Sequence, residues 1–262
     1  MSSLNGNQRR GPGEPATVRI AAAGDIHCRE SDRSATREAF GKLGERADLV
    51  LLAGDLTMHG VVEEAMVLAD ACRELHLPVV AVLGNHDWHL GFQDEIAAVL
   101  RDAGVDVLDR GSAVYEVAGV ETGIAGTKGF VGGFPGSHLP DFGEPSLRRV
   151  YAEATEEVDA LAAGLREIAL CPVRIVLLHY APTETTLEGE PQGIWAFLGT
   201  DRLAAPILEC GPDLVVHGHA HAGRFEGAIG DVPVFNVSVP VIGEDFWVFE
   251  LSGVARSPTS VH

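Results

Sequence analysis

Five stretches of apolar residues, each the length of a β-strand, run without a break into a polar residue of the kind that binds metals. Residues 18–23 (VRIAAA) lead into Gly24-Asp25-Ile26-His27, and 48–53 (DLVLLA) into Gly54-Asp55. Residues 77–83 (LPVVAVL) lead into Gly84-Asn85-His86-Asp87, and 173–178 (VRIVLL) into His179. Residues 214–216 reach His217-Gly218-His219-Ala220-His221. Short runs that are mostly apolar at successive, rather than alternate, positions read as strands buried on both faces. Helical spacing fills the gaps between the first three, over 34–45 (with Ser34 as N-cap) and 61–75. Three successive β-α units with short connections predict a largely parallel sheet covered by helices on both faces.

Beyond these units the pattern predicts a helix over 92–103, a short strand over 105–108 and two antiparallel strands, 113–117 and 122–125, joined around Gly119. A long helix is expected over 146–170 and another over 201–210, with closing strands at 225–228, 232–236 and 246–251. Residues 126–145 form a long Gly/Pro-rich loop. Loops of that length in compact domains commonly serve function, and the glycines make this one a candidate substrate cap. With neither an internal repeat nor a linker, 17–262 read as one domain behind a polar tail, 1–16, expected to be disordered. Arg9 and Arg10 are the one hint of an export signal, but no hydrophobic segment separates them from the first strand.

The formal charge of −19 narrows the partners. Such a field repels polyanions, so nucleic acids and anionic membranes are not expected as partners. A small phosphorylated substrate remains open, because bound dications reverse the potential locally. Cys28, Cys72, Cys171 and Cys210 form no C-x-x-C pair and read as reduced thiols of a cytoplasmic protein. No apolar run approaches the roughly 20 residues of a membrane span. The sequence assigns no oligomeric state.

The position of the polar residues carries the functional reading. In open α/β sheets, sites gather beyond the carboxyl ends of the strands. Taken singly, Asp25 or Asp55 is a loop or cap residue, Asn85-His86 a turn, and His179 a satisfied core histidine. Taken together, five segments distant in sequence deliver carboxylate, imidazole and amide oxygen to one place. That mixed O/N set suits Mn, Fe, Zn or Ni.

The ordered set resembles the calcineurin-like metallophosphoesterase family, whose pattern runs D-x-H, G-D, G-N-H-D/E, a lone H and G-H-x-H. Here it reads Asp25-Ile26-His27, Gly54-Asp55, Gly84-Asn85-His86-Asp87, His179 and Gly218-His219-Ala220-His221. The resemblance implies an α/β fold, a four-layer α/β/β/α sandwich with mostly parallel central sheets and antiparallel edge strands. It also implies two divalent ions, Mn or Fe favoured: Asp25, His27 and His221 hold the first, Asn85, His179 and His219 the second, and Asp55 bridges them. By the same resemblance a hydroxide between the ions would attack phosphorus in line, His86 would protonate the leaving alkoxide or stabilise charge on the phosphoryl oxygens, and Asp87 would fix the tautomer of His86. The expected substrate is a small phosphodiester, with a phosphomonoester as the alternative. A metal-binding scaffold without activity, which would have lost ligands or the proton donor, is disfavoured.

Other residues read more plainly. Lys128 is expected to be a solvated loop lysine in preference to a phosphate contact. His59 reads as a surface histidine at a helix start, His217 as a support to the following turn or a strand end, and Cys28 as an unreactive thiol. For Trp88 and Tyr180, packing and stacking on a substrate base are equal readings.

Overall fold

A computed structural model describes residues 16–253; the expected tail, Ala16 apart, lies outside the described residues, as do Arg9 and Arg10. The strands are β1 Thr17–Ala23, β2 Leu49–Ala53, β3 Val79–Val82, β4 Val105–Val107, β5 Gly111–Val117, β6 Val120–Gly126, β7 Val173–Leu177, β8 Leu214–His217, β9 Glu226–Ile229, β10 Val232–Asn236 and β11 Trp247–Ser252. The helices are α1 Arg33–Gly41, α2 Val62–Arg73, α3 Gln93–Asp102, α4 Pro145–Glu167, the short α5 Trp195–Leu198, α6 Ala204–Cys210 and the short α7 Val239–Ile242. One sheet has the order β11-β1-β2-β3-β4 and the other β5-β6-β7-β8-β10-β9. Their inner strands are parallel, and the edges β11, β5 and β9 pair antiparallel.

Strand period explains the four layers. Successive side chains point to opposite faces, so Ala21, Ala23, Val50, Leu52, Val79 and Ala81 pack under Phe40, Leu68, Ile96 and Leu100 of α1–α3. Their neighbours Ile20, Ala22, Leu49, Leu51, Val80 and Val82 meet Ile124, Ile175, Leu177 and Val216 of the second sheet. On its far side that sheet packs Ala125, Val176, Leu178 and Val215 against Leu161 and Leu165 of α4 and Ile207 of α6. The result is an α/β/β/α sandwich. The alternation of strand and helix alone predicted helices on both faces of one sheet. A second sheet covers one face instead, and it presents the strands with the same apolar demand as a helix would.

Two local expectations change. Helix α1 starts at Arg33 after a 3-10 turn, Glu30–Asp32, so Ser34 lies inside it and Asp32 precedes it. The helix expected over 201–210 is divided into a 3-10 turn, Asp201–Leu203, and α6; the Thr200 hydroxyl accepts the Arg202 N–H and holds that turn. The loop over 126–145 is anchored in its first part, whereas residues 140–145 are exposed. Gly133 bridges Thr200, Phe134 is buried against Leu187, Leu198 and Ala220, and His138 pairs with Asp201.

Candidate metal centre

At the carboxyl ends of β1, β2 and β8 the chain leaves the sheet in a conformation that side chains rarely adopt. Asp25, His27, Asp55 and His219 have φ of 57°, 49°, 50° and 69°, and Arg110 and Ala118 are the other described non-glycine residues in that region. Each such residue costs of order 1–3 kcal/mol, and the surrounding structure must hold it there. Main-chain bonds do so: Asp25 N–H donates to the Gly54 carbonyl at 2.9 Å and His27 N–H to the Asp55 carbonyl at 3.0 Å. The close approach depends on glycine. A Cβ at Gly84 would lie 2.2 Å from both the nitrogen and Oδ1 of Asp55, and one at Gly218 would lie 2.4 Å from Asp25 Oδ2.

The structure brings all of the sequence-predicted ligands to this one end of the sheets. Asp25 Oδ1 is 2.9 Å from His221 Nε2, and its Oδ2 accepts the His219 N–H. His27 Nε2 lies 3.8 Å from Asp55 Oδ2. Asp55 Oδ1 lies 3.3 Å from His179 Nε2, which is also 2.9 Å from Asn85 Oδ1. Asp25, His27 and His221 form one cluster, Asp55, His179 and His219 another, and His27, Asp55 and His86 a third; within each, donor atoms lie no more than 4.8 Å apart.

The hydrogen bonds select the tautomers. His179 Nδ1 donates to the Ala53 carbonyl at 2.9 Å, so its Nε2 lone pair faces the oxygens of Asn85 and Asp55. His219 Nε2 donates to the Phe197 carbonyl at 3.1 Å, which leaves Nδ1 as the lone pair. His27 Nδ1 is buried without a hydrogen-bond partner among the described residues. Lone pairs facing oxygens, with an unpartnered imidazole beside them, leave polar groups unsatisfied unless a cation sits among them. The donors therefore fit divalent metal.

Electrostatics agree. Burial lowers the pKa of His179 and brings that of His219 down to about 4, so both are neutral and basic at pH 7, the form that binds metal. Burial works to raise the Asp25 carboxyl, but the hydrogen bond from His221 and the nearby imidazoles bring it down to about 2. Asp55 is raised, first by burial and then by the charge of Asp25. His217 is also down to about 4, yet both its nitrogens are engaged, with the Gly218 carbonyl and the Thr186 hydroxyl. It supports the turn and offers no lone pair.

His86 stands beside these residues. Its Nδ1 donates to the Met58 carbonyl at 2.7 Å, its main-chain N–H donates to Asp55 Oδ1, and its Nε2 reaches within 4.0 Å of Asp55 Oδ2. Asp87 does not touch the His86 ring, which corrects the role expected for it. Its fully buried carboxylate accepts the N–H groups of Leu56, Thr57 and Gly84 and the Thr57 hydroxyl. It ties the turn after β3 to the loop after β2, because four donors converge on it before any imidazole can.

Lys128 also departs from expectation. Its ammonium lies 4.3 Å from the Phe130 ring centroid, 5.3 Å from Tyr180 and 5.6 Å from Trp88, and burial lowers its pKa against the pull of Glu157 and Glu153. His59 pairs with Glu64 and is mostly exposed. Buried Cys28 is pushed up to about 12 by burial, an inert thiol. The carbonyls of Ala53, Met58 and Phe197, which orient three imidazoles, have no signal in a sequence. Asn236 had one: like the candidate ligands it ends an apolar strand, and its amide donates to the Ala220 carbonyl and braces the turn that carries His219 and His221.

Comparison with known proteins follows the same lines. The sequence profile of the calcineurin-like phosphoesterases matches residues 18–223. A probable cyclic nucleotide phosphodiesterase of Synechococcus sp. is 35% identical over 85 residues, 29% of this chain and 33% of the relative, so the match spans about a third of that protein. Among solved structures, the phosphopantetheinyl hydrolase PptH of Mycobacterium tuberculosis superposes with a TM-score of 0.64 at 16% identity, covering 87% of this chain and 91% of that one. A putative 5'-nucleotidase of Staphylococcus aureus gives 0.55 at 14% identity over 94% and 56% of the two chains. GAP50, the anchor in the inner membrane complex of Plasmodium, gives 0.55 at 13% identity over 92% and 82%.

Proposed function

Because the chain belongs to the calcineurin-like phosphoesterase family, a family of metal-dependent phosphoester hydrolases, we propose that it hydrolyses a small phosphodiester at a centre of two divalent ions. Asp25, His27 and His221 would hold one ion and Asn85, His179 and His219 the other, with Asp55 reaching both. The mixed oxygen and nitrogen donors favour Mn or Fe. Ions held there would activate a water and neutralise charge on the phosphoryl oxygens.

The chain's own residues supply the rest. Ala53 and Phe197 fix the tautomers of His179 and His219, so that neither ring must reorganise to present its lone pair. Asp55 holds the main chain at His86, and Met58 holds its ring. The Nε2 of the His86 imidazolium then faces the centre and gives its proton to the leaving oxygen. Asp87 is a positioning residue for the turn that carries Asn85 and His86.

The observation that carries the reading is His86 Nε2, 4.0 Å from Asp55 Oδ2 and beside the clustered Asp and His donors. A fold shared with an anchoring protein does not by itself argue for hydrolysis; a retained proton donor does. The diester preference draws support from the Synechococcus relative. A cytoplasmic location is in keeping with four free cysteines, three of them buried. Assay of bis(p-nitrophenyl) phosphate and p-nitrophenyl phosphate, with Mn²⁺ and with chelator, tests the reading. Metal-dependent turnover with the diester ahead is expected. Faster monoester turnover would reassign the substrate class, and no turnover with any divalent metal would overturn the proposal.

A further inference from the structure

A cavity of about 430 Å³ opens directly beside the candidate centre, lined by Asn85, Trp88, Lys128, Phe130, Arg149 and Tyr180 among others. Two of these residues join it to the centre. Asn85 Oδ1 is 2.9 Å from His179 Nε2, and the Tyr180 ring packs 4.4 Å from that of His219. The outer wall is one face of α4, because Ser146, Arg149, Val150 and Glu153 follow the i, i+3, i+4, i+7 spacing of a helix.

Lys128 is the unusual element. The chain has 17 arginines and two lysines. The other, Lys42, is exposed and paired with Glu38 one helical turn away. Lys128 is held instead by its main chain, whose carbonyl accepts the N–H groups of both His179 and Tyr180. Its ammonium donates to the Gly129 carbonyl at 3.1 Å and makes no ion pair among the described residues. Aromatic faces surround it, so a compact cation is kept in a largely apolar cavity with no carboxylate in ion-pair contact among the described residues; Glu157 acts on it from farther off and is itself engaged by Arg110 and the Gly129 N–H. The carboxylate on the cavity wall, Glu153, is engaged by Arg110. Arg149 bonds Ser146 and adds a second positive charge. In a chain of net charge −19, two cationic side chains thus line a cavity next to the centre, and the one carboxylate among its lining residues is the one that Arg110 holds.

Resting on the function proposed above, we propose that this cavity binds the organic group of the ester, and that this group joins a planar or apolar body to a second anionic group. Trp88 and Phe130 face the body, and Lys128 donates to the anion, a carboxylate or a second phosphate. Lys128 is thereby the residue that determines specificity. Neutral esters occupy the same space and leave the ammonium without its partner.

Binding tests this without turnover. The Mn²⁺-loaded full chain is titrated calorimetrically with benzylphosphonates carrying a para carboxylate, a para phosphonomethyl group or a para carboxamide. A hydrogen bond to a charged group predicts that the anionic compounds bind roughly ten- to a hundredfold more tightly than the amide. Whichever anion leads identifies the carboxylate or phosphate class. Lys128→Met should bring the ratio to about one, whereas Trp88→Ala should weaken all three by a common factor and keep the ratio. A ratio near one in the unsubstituted protein, or one that survives Lys128→Met, would overturn the proposal. Turnover of bis(p-nitrophenyl) phosphate by the same preparation keeps the two readings apart. Hydrolysis without anion preference refutes the cavity assignment alone, and anion preference without hydrolysis refutes the hydrolase reading alone.

Discussion

The Nδ1 of His179 lies 2.9 Å from the carbonyl oxygen of Ala53, the last residue of β2, and that one bond decides what the rest of the ring can do. With its proton committed there, the ring turns an unprotonated Nε2 toward Asn85 and Asp55, where oxygen already crowds it. A bare arrangement of this kind is electrostatically frustrated, and a cation relieves it.

Metal should therefore stabilise the fold. Binding to the native state alone contributes about 2.7 kcal/mol at a free metal concentration one hundred times Kd. For a chain of this size that corresponds to a rise in Tm of roughly 5–10 °C. Thermal denaturation of chelator-treated protein with and without Mn²⁺ measures it, and Asp55→Asn should abolish most of the shift.

His86→Gln should separate chemistry from metal binding. The main-chain N–H that bonds Asp55 is retained, so metal content should match the unsubstituted protein. Loss of a positioned proton donor typically costs roughly 10²–10⁴-fold in rate. Steady-state kinetics on bis(p-nitrophenyl) phosphate beside elemental analysis reads both quantities.

Gly84→Ala should damage fold and centre together. The added Cβ meets the backbone nitrogen of Asp55 at 2.2 Å, which no side-chain rotation relieves. A loss of roughly 3 kcal/mol in denaturant unfolding is expected, together with weakened metal affinity. Gly41→Ala, an exposed position where a Cβ meets nothing within 4 Å, should stay within roughly 0.5 kcal/mol of the original.

The buried thiols give a pH dependence with a definite sign. Burial pushes Cys28 and Cys72 from the ordinary value of 9.0 up to about 12. Above pH 9 the unfolded chain loses these protons while the folded chain keeps them, so the unfolded state binds fewer protons and stability falls as pH rises toward 12. Unfolding midpoints at pH 8 and pH 10.5 should show the fall, and Cys72→Ala should reduce it. In the native protein at pH 8 neither thiol should react with Ellman's reagent.

Much of this was legible in the sequence because strand ends are conspicuous: five apolar runs each stop at a polar residue, and those residues converge. The second sheet was not legible from periodicity, since Leu51 facing a sheet and Leu52 facing a helix obey the same rule. Adjacency in sequence suggests a contact between Asp87 and His86, whereas the carboxylate accepts four other donors from Leu56, Thr57 and Gly84. A lysine among glycines reads as exposed loop, which hides the setting of Lys128. Only the fold brings Trp88, Phe130 and Tyr180 around it.

Anomalous diffraction from crystals of the Mn²⁺-loaded protein tests the central claim most directly. Two manganese peaks are expected, one bound by Asp25, His27 and His221, the other by Asn85, His179 and His219, with Asp55 touching both. A single peak, or peaks away from these seven residues, would contradict it.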